Sequence, residues 1–274
     1  MIKKIIQVSD IHIPNYKRIS EYQNVLLKFI DECKKIVNNE GSDSVRIVIC
    51  GDLVNSHNEV SNEAYILTGW FLRELDAICK TIVFAGNHDK TSNNERTDTL
   101  SAVFVNSLFK QTYYIDMELE YQSGCVVDDN VVWCLYSAFD NFNKPNIDDY
   151  KETYKDNTFI GLFHGDLVSA KTDVGYVTTI GQNPSHFDGV DFALMGHIHK
   201  RQCIKYEGIP LVYSGSLIQQ NFGENVSQHG YTLWDVENND YKFVDIYNND
   251  NSYYVVSINS IDDIDNDLEE FINL

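Results

Sequence analysis

No stretch of this sequence approaches the roughly 20 consecutive apolar residues that a membrane-spanning helix needs, so the composition argues against a membrane protein. The six cysteines, Cys33, Cys50, Cys79, Cys125, Cys134 and Cys203, include no CxxC spacing of the kind that marks zinc or redox motifs. Several fall inside apolar runs, where a free buried thiol is the ordinary reading. An intracellular, reducing compartment is therefore expected. Proline and glycine build no linker-like stretch, and no segment repeats. The chain enters a strand-like apolar run at Ile2 to Ser9, so no secretory leader is expected.

Positive charge is also scarce. Lysine and arginine total 21 against 41 aspartates and glutamates, for a net charge of -20 at pH 7. A nucleic-acid-binding protein draws much of its affinity from neutralising phosphates, and no overall basic field exists here. Distribution matters more than the sum, because salt screens exposed charges beyond about 8 Å. The last basic residue is Lys242. Lys17, Arg18, Lys90, Arg96, Lys171, Lys200 and Arg201 gather in or beside the loops that carry the motifs described below. Loops carry charge for solvation alone; the functional alternative is a local basic rim around an anionic substrate.

What remains is an ordinary globular composition, 274 residues with 43% hydrophobic and 23% charged. The first half alternates strand and helix, with helices expected over Glu21 to Asn38, Ser61 to Lys80 and Thr97 to Phe109. Trp70, Phe71 and Leu75 read as core. The second half is richer in strands, with core strands at Val131 to Tyr136, Phe159 to Phe163 and Phe192 to Met195, and hairpins from Gln202 to Tyr247. This predicts an α/β fold of two packed sheets with helices outside. Residues 1–247 would form one domain. Residues 248–274 would be an acidic tail, with a strand at Tyr253 to Ile258 and a short helix from about Asp262, either an edge strand and cap or the start of a cap domain.

Five short motifs follow strand-like runs: Asp10-Ile11-His12, Gly51-Asp52, Gly86-Asn87-His88-Asp89, His164-Gly165 and Gly196-His197-Ile198-His199. Sites in open α/β sheets form beyond the carboxyl ends of the strands, so these residues can converge. Taken singly, Asp-x-His or Gly-Asp is usually a turn; five such motifs together are not. Hydrolysis of a phosphate ester needs an activated water and neutralisation of the phosphoryl oxygens, which two divalent ions about 3.5–4 Å apart supply. Asp52 can bridge such a pair. Alternate residues of an extended segment point the same way, so Asp10 with His12 and His197 with His199 suit paired ligation. Asn87 offers a carbonyl oxygen, and His88, pointing differently, suits a proton donor. His57 and His186 follow no strand end and receive no role.

These motifs, in order from Asp10 to His199, resemble the calcineurin-like metallophosphoesterase family. The resemblance implies a four-layer α/β/β/α sandwich. It implies one metal on Asp10, His12, Asp52 and His199 and a second on Asp52, Asn87, His164 and His197, with His88 as the acid. The two divalent ions would be manganese, or iron or zinc in some members. A narrower similarity lies in Tyr213-Ser214-Gly215-Ser216-Leu217-Ile218-Gln219-Gln220-Asn221-Phe222-Gly223-Glu224, which is similar to a stretch of SbcD-like DNA double-strand-break repair exonucleases. It implies DNA as substrate, an SMC-like ATPase partner and a homodimer. Gly215 would bring backbone close to a phosphate. Ser216 and Gln219, with Arg96 and Lys200, would bind substrate. Asn55 stands where relatives often carry histidine or aspartate, and His57 is near enough in sequence to substitute. The leading expectation is a manganese-dependent DNA exonuclease or endonuclease in end processing. The alternative is a phosphatase or cyclic-nucleotide phosphodiesterase with the same metals, which the acidic charge favours. A scaffold without activity has no need of the full ligand set.

Overall fold

Two six-stranded mixed sheets lie face to face in the computed structural model, which describes residues 1–56, 58–91, 98–248 and 251–255. In the first sheet β1 (Lys4–Val8), β2 (Val45–Cys50), β3 (Thr81–Phe84) and β4 (Thr112–Tyr114) run parallel. The antiparallel pair β11 (Gly230–Asp235) and β12 (Asp240–Asp245) completes it beside β1. The second sheet centres on the parallel strands β6 (Val131–Tyr136), β7 (Thr158–His164), β8 (Phe192–Gly196) and β10 (Ile209–Tyr213). Antiparallel β5 (Gly124–Asp128) and β9 (Gln202–Tyr206) form its edges.

The alternation of side chains along each strand divides the apolar residues into layers. Ile5, Val48, Ile82, Trp133, Ile160, Leu194 and Val212 meet between the sheets. Their neighbours Ile6, Ile47, Ile49 and Val83 face outward under helices. These are α1 (Ile19–Glu40), α2 (Asn62–Asp76) and α3 (Thr99–Val105). On α1 the residues Tyr22, Val25, Leu26, Phe29, Ile30 and Cys33 form the buried stripe, each large one contributing about 1.5–3 kcal/mol by leaving water. The outer face of the second sheet has a thinner cover, where Val132, Tyr136, Phe163 and Tyr213 pack with Ile147 of α5 (Ile147–Thr153) and Phe187. The expected layered sandwich is present, with helices concentrated on one flank.

Helix boundaries follow local chemistry. Ser61 caps α2, accepting from Ala64 N at 3.1 Å, and the helix ends at Asp76, short of the expected Lys80. Asp98 caps α3 in the same way, accepting from Ser101 N at 2.8 Å. The short elements β4, β5, α4 (Ile115–Glu118) and α5 have no counterpart among the elements expected from sequence. In the tail, Tyr253 to Val255 have no regular structure; the remainder of the expected strand, and the helix from Asp262, lie outside the described residues.

Polar links also join the sheets. The Gln7 side chain, fully buried on β1, donates to Met195 O at 3.1 Å and Val212 O at 2.9 Å across the gap, and accepts from Trp234 Nε1 at 2.7 Å. At the amino end of β2, Arg46 holds Asp128 of β5 through two bonds of 2.8 and 3.1 Å, and Lys80 joins at 3.0 Å.

Candidate metal centre

Because β1, β2 and β3 are parallel and β7 and β8 are parallel, the loops after them emerge in register. β2 lies against both β7 and β8, so one sheet's loops face the other's. Two loops run side by side: Asp10 N donates to Gly51 O at 3.2 Å and His12 N to Asp52 O at 2.9 Å. Asp10, His12, Asp52 and His197 all have positive φ, at 52°, 53°, 51° and 94°. A non-glycine residue pays on the order of 1–3 kcal/mol for a sparsely populated backbone. Clustering at the candidate residues marks a geometry the surrounding fold imposes. Gly86 shows how tight it is: a Cβ there would stand 2.1 Å from Asp52 Oδ1.

Asp52 is the hub. Its Oδ2 lies 3.5 Å from His12 Nε2 and 3.2 Å from His164 Nε2, while Oδ1 accepts from His88 N at 2.7 Å. On one side of it, His12 Nε2 and His199 Nε2 face each other at 3.1 Å, with Asp10 Oδ1 3.9 and 3.7 Å from them. On the other, Asn87 Oδ1 lies 3.1 Å from His164 Nε2 and 2.8 Å from His197 Nδ1. Among the described residues, the overlapping groups Asp10–His12–His199, His12–Asp52–His88 and Asp52–His164–His197 each offer ligand atoms within 4.8 Å of one another and could hold a metal ion. Asp10, Asp52, His12 and His164 are buried; His88, His197 and His199 are partly open.

Burial and neighbouring charge set the protonation of the cluster. Burial keeps His12 neutral, lowering its pKa to about 4 against the pull of Asp52 and Asp10. Burial also opposes charge on His164 and His199, yet Asp52 lifts the first to about 10, while Glu224 and Asp10 lift the second to about 9. Asp52 is held well below the usual carboxylate range, burial being outweighed by His164. Ligation would compete with these protons, because a histidine or carboxylate binds a cation only in its deprotonated form. The donor set fits a divalent ion: imidazole nitrogens face each other with the Asp10 and Asp52 carboxylates beside them.

Several residues in supporting positions received no role from the sequence. Glu224 Oε1 lies 2.8 Å from His199 Nδ1, the carboxylate–histidine pairing that orients metal-binding imidazoles. Cys50 O does the same for His164 Nδ1 at 2.7 Å. Buried Asp89 accepts from Gly86 N, Leu53 N and Val54 N at 2.9, 3.3 and 3.0 Å, pinning the second and third motifs together. Glu224 closes the stretch that resembles SbcD-like enzymes, and the Gly-Asn-His-Asp motif contains Asp89; either could have been singled out on that ground.

The expected substrate contacts fare differently. Ser216 and Gln219 are buried and engaged with neighbouring protein groups, Ser216 Oγ with Glu224 and His229 at 3.2 and 3.0 Å, and Gln219 Nε2 with Glu224 O and Tyr253 O at 3.0 Å each. They shape the loop that holds Glu224, and their donors do not face outward. Gly215 serves the same packing: its φ is 75°, and a Cβ would meet His199 O at 2.6 Å, so its close approach is to the His199 backbone. Lys200 is half-buried beside the centre, and Arg96 and His57 lie outside the described residues. The basic rim is largely committed elsewhere. Arg18 binds Glu21 at 2.7 Å, Lys90 donates to Ala138 O at 2.8 Å and Arg201 pairs with Asp245, whereas Lys17 and Lys171 are exposed. His88 Nδ1 is 3.3 Å from the backbone carbonyl of Asn55, so at that position the backbone makes the contact. An open cavity of about 250 Å³ adjoins the centre, lined by Thr172, Asp173, Val174, His197, His199 and Glu224.

Residues 3–201 match the calcineurin-like phosphoesterase family, and the chain belongs to it. The matched segment carries the family's phosphoesterase domain, and among the described residues it includes three groups that could hold a metal ion. The chain is 33% identical over 94% of its length to an uncharacterized protein of Acanthamoeba polyphaga mimivirus, of which it spans 19%. It is 28% identical over 86% of its length to the SbcD component of the nuclease SbcCD from Staphylococcus epidermidis, spanning 67% of that protein. Among solved structures, an archaeal phosphodiesterase matches at 14% identity and a TM-score of 0.38, covering 87% of this chain and 97% of that one. A hypothetical protein from Pyrococcus horikoshii OT3 matches at 12% identity and 0.45, covering 99% and 94%. No helix among the described residues is long and apolar enough to cross a membrane.

Proposed function

We propose that the chain is a two-metal phosphodiester hydrolase acting on DNA, a manganese-dependent nuclease that processes ends with an SMC-like ATPase partner. The observation that carries the hydrolytic part is Asp52 Oδ2, poised between His12 and His164 with a ligand group on either side. In this reading Asp10, His12, Asp52 and His199 hold one ion, and Asp52, Asn87, His164 and His197 the other. When bound, the ions activate water and neutralise charge on the phosphoryl oxygens. Asp10 anchors the second sheet's loop, its carboxylate accepting from His197 N at 3.0 and 3.1 Å. His88, whose Nδ1 meets Asn55 O, presents Nε2 as the proton donor to the leaving oxygen.

The DNA assignment rests on the likeness to the SbcD component of that nuclease and on the loop from Ser214 to Glu224, which packs on His199. The net charge of -20 favours the second reading, a small-molecule phosphodiesterase or phosphatase. End-labelled double- and single-stranded DNA and a chromogenic diester, each with added Mn²⁺, distinguish them. DNA cleavage that His88→Ala abolishes while metal content stays near wild type is the expected result. Asp52→Ala should lose both ions. Diester turnover without DNA cleavage would transfer the assignment to the second reading, and metal loss in His88→Ala would overturn the acid role.

A further inference from the structure

We propose that Cys125 and Cys134 form a redox modification site, a cross-strand dithiol that a low-molecular-weight disulfide such as oxidised glutathione converts into an intrachain disulfide. The two residues are direct partners in the antiparallel pair of β5 and β6. Asp128 and Val131 close a two-residue turn through Asp129 and Asn130, Asp129 having a φ of 53°. Such tight hairpins close on a hydrogen-bonded pair, and antiparallel ladders alternate between hydrogen-bonded and non-hydrogen-bonded pairs. Counting back through Val127–Val132 and Val126–Trp133 places Cys125–Cys134 in the non-hydrogen-bonded class. There the Cα atoms approach to about 4.5 Å, inside the roughly 4.4–6.8 Å that a disulfide spans.

The sulfurs are 3.6 Å apart, so rotation about the side chains suffices to bring them into bonding range. Cys134 is fully buried, and Cys125, on an edge strand, keeps 6% of its surface open, which gives a small disulfide a route to it. Cys125, the more exposed of the two and on the edge strand, is therefore the attacking thiol and buried Cys134 the resolving one.

In the first step the Cys125 thiolate attacks one sulfur of oxidised glutathione, its S–S bond breaks and a glutathione thiolate leaves. In the second, Cys134 attacks Cys125 Sγ and its proton passes to the departing glutathione sulfur, which leaves as the second glutathione thiol. Two electrons pass from the dithiol to the reagent. The product ties the edge strand, with Asp128 at its end, to β6.

The test incubates the folded 274-residue chain with oxidised glutathione, then unfolds it in denaturant at low pH, alkylates the remaining thiols and maps the peptides without reduction. Two of the six thiols should escape alkylation and appear as one Cys125–Cys134 cross-link, reversed by dithiothreitol. Cys134→Ser should stop at a glutathione adduct on Cys125, and Cys125→Ser should give neither product. Alkylation of all six thiols, a lasting adduct in the wild type, or a cross-link between other cysteines would overturn the proposal. The wild-type map decides the matter even if a variant folds poorly.

Discussion

Replacing Asp128 by Asn tests how firmly the two sheets are held at the end remote from the metal centre. Arg46 and Asp128 expose 8% and 7% of their side chains, so the guanidinium would keep its charge in a site that cannot hydrate it. Trp133 Nε1, 3.3 Å from Asp128 Oδ2, would also face an altered partner. Breaking a buried pair by removing one member costs about 3–5 kcal/mol. Lys80, whose side chain is 33% exposed, retains solvent and adds little. The assay is urea unfolding at pH 7, comparing midpoints at unchanged slope. Arg46→Met combined with Asp128→Leu should recover most of the loss, because the penalty belongs to the stranded charge. Burial opposes ionisation of Asp128, but Arg46 and Lys80 hold its pKa below 3.8. Its contribution is therefore present above that value and lost as pH falls through the folded value, so the deficit of the variant should be constant from pH 7 to 5 and shrink only in stronger acid. A cost below about 1 kcal/mol, the range of exposed pairs, would refute the reasoning.

Two further outcomes are expected. Burial raises Asp116 from 3.8 to about 6 despite bonds from Ser137 Oγ and Ala85 N, so the folded state binds its proton more tightly than the unfolded chain. Its contribution is full below the unfolded value and declines as pH rises through about 6; Asp116→Asn should therefore gain on the wild type by about 3 kcal/mol over that window, and a difference independent of pH in denaturant titrations would count against it. Glu224→Ala should weaken Mn²⁺ binding roughly 10- to 100-fold by releasing His199, with Glu224→Gln between the two; an unaltered titration by magnetic resonance would remove Glu224 from the site.

Central strands were legible because their apolar runs are continuous and buried on both faces, as in Val131–Tyr136, whose bounds agree residue for residue. β4, with three residues, and β5, with three of its five positions half-buried in no alternating order, are set by pairing to a neighbour already in place, which no local pattern records. The motif residues were legible because strand ends concentrate them, and the sheets bring all five motifs together. Supporting residues were not, since the contact of Glu224 with His199 spans 25 positions in sequence. The hydrogen bonds of Ser216 and Gln219 to Glu224, His229 and Tyr253 were not legible for the same reason. A polar side chain after a strand offers donors, but only the folded loop shows whether those donors point outward.

Gln7 bears on the centre in a way its distance from it conceals. It stands three residues before Asp10, and its acceptor Met195 stands two before His197. An apolar sheet interface by itself tolerates sliding, because grease has no preferred offset. The buried amide removes that freedom, since a shift of one residue would leave its donors unpaired in the dry interior. Gln7 thus acts as a vernier, fixing how far one sheet is displaced along the other and so the separation of the Asp10–His12 and His197–His199 pairs. A smooth hydrophobic replacement would leave the fold intact and the ligand spacing ungraduated.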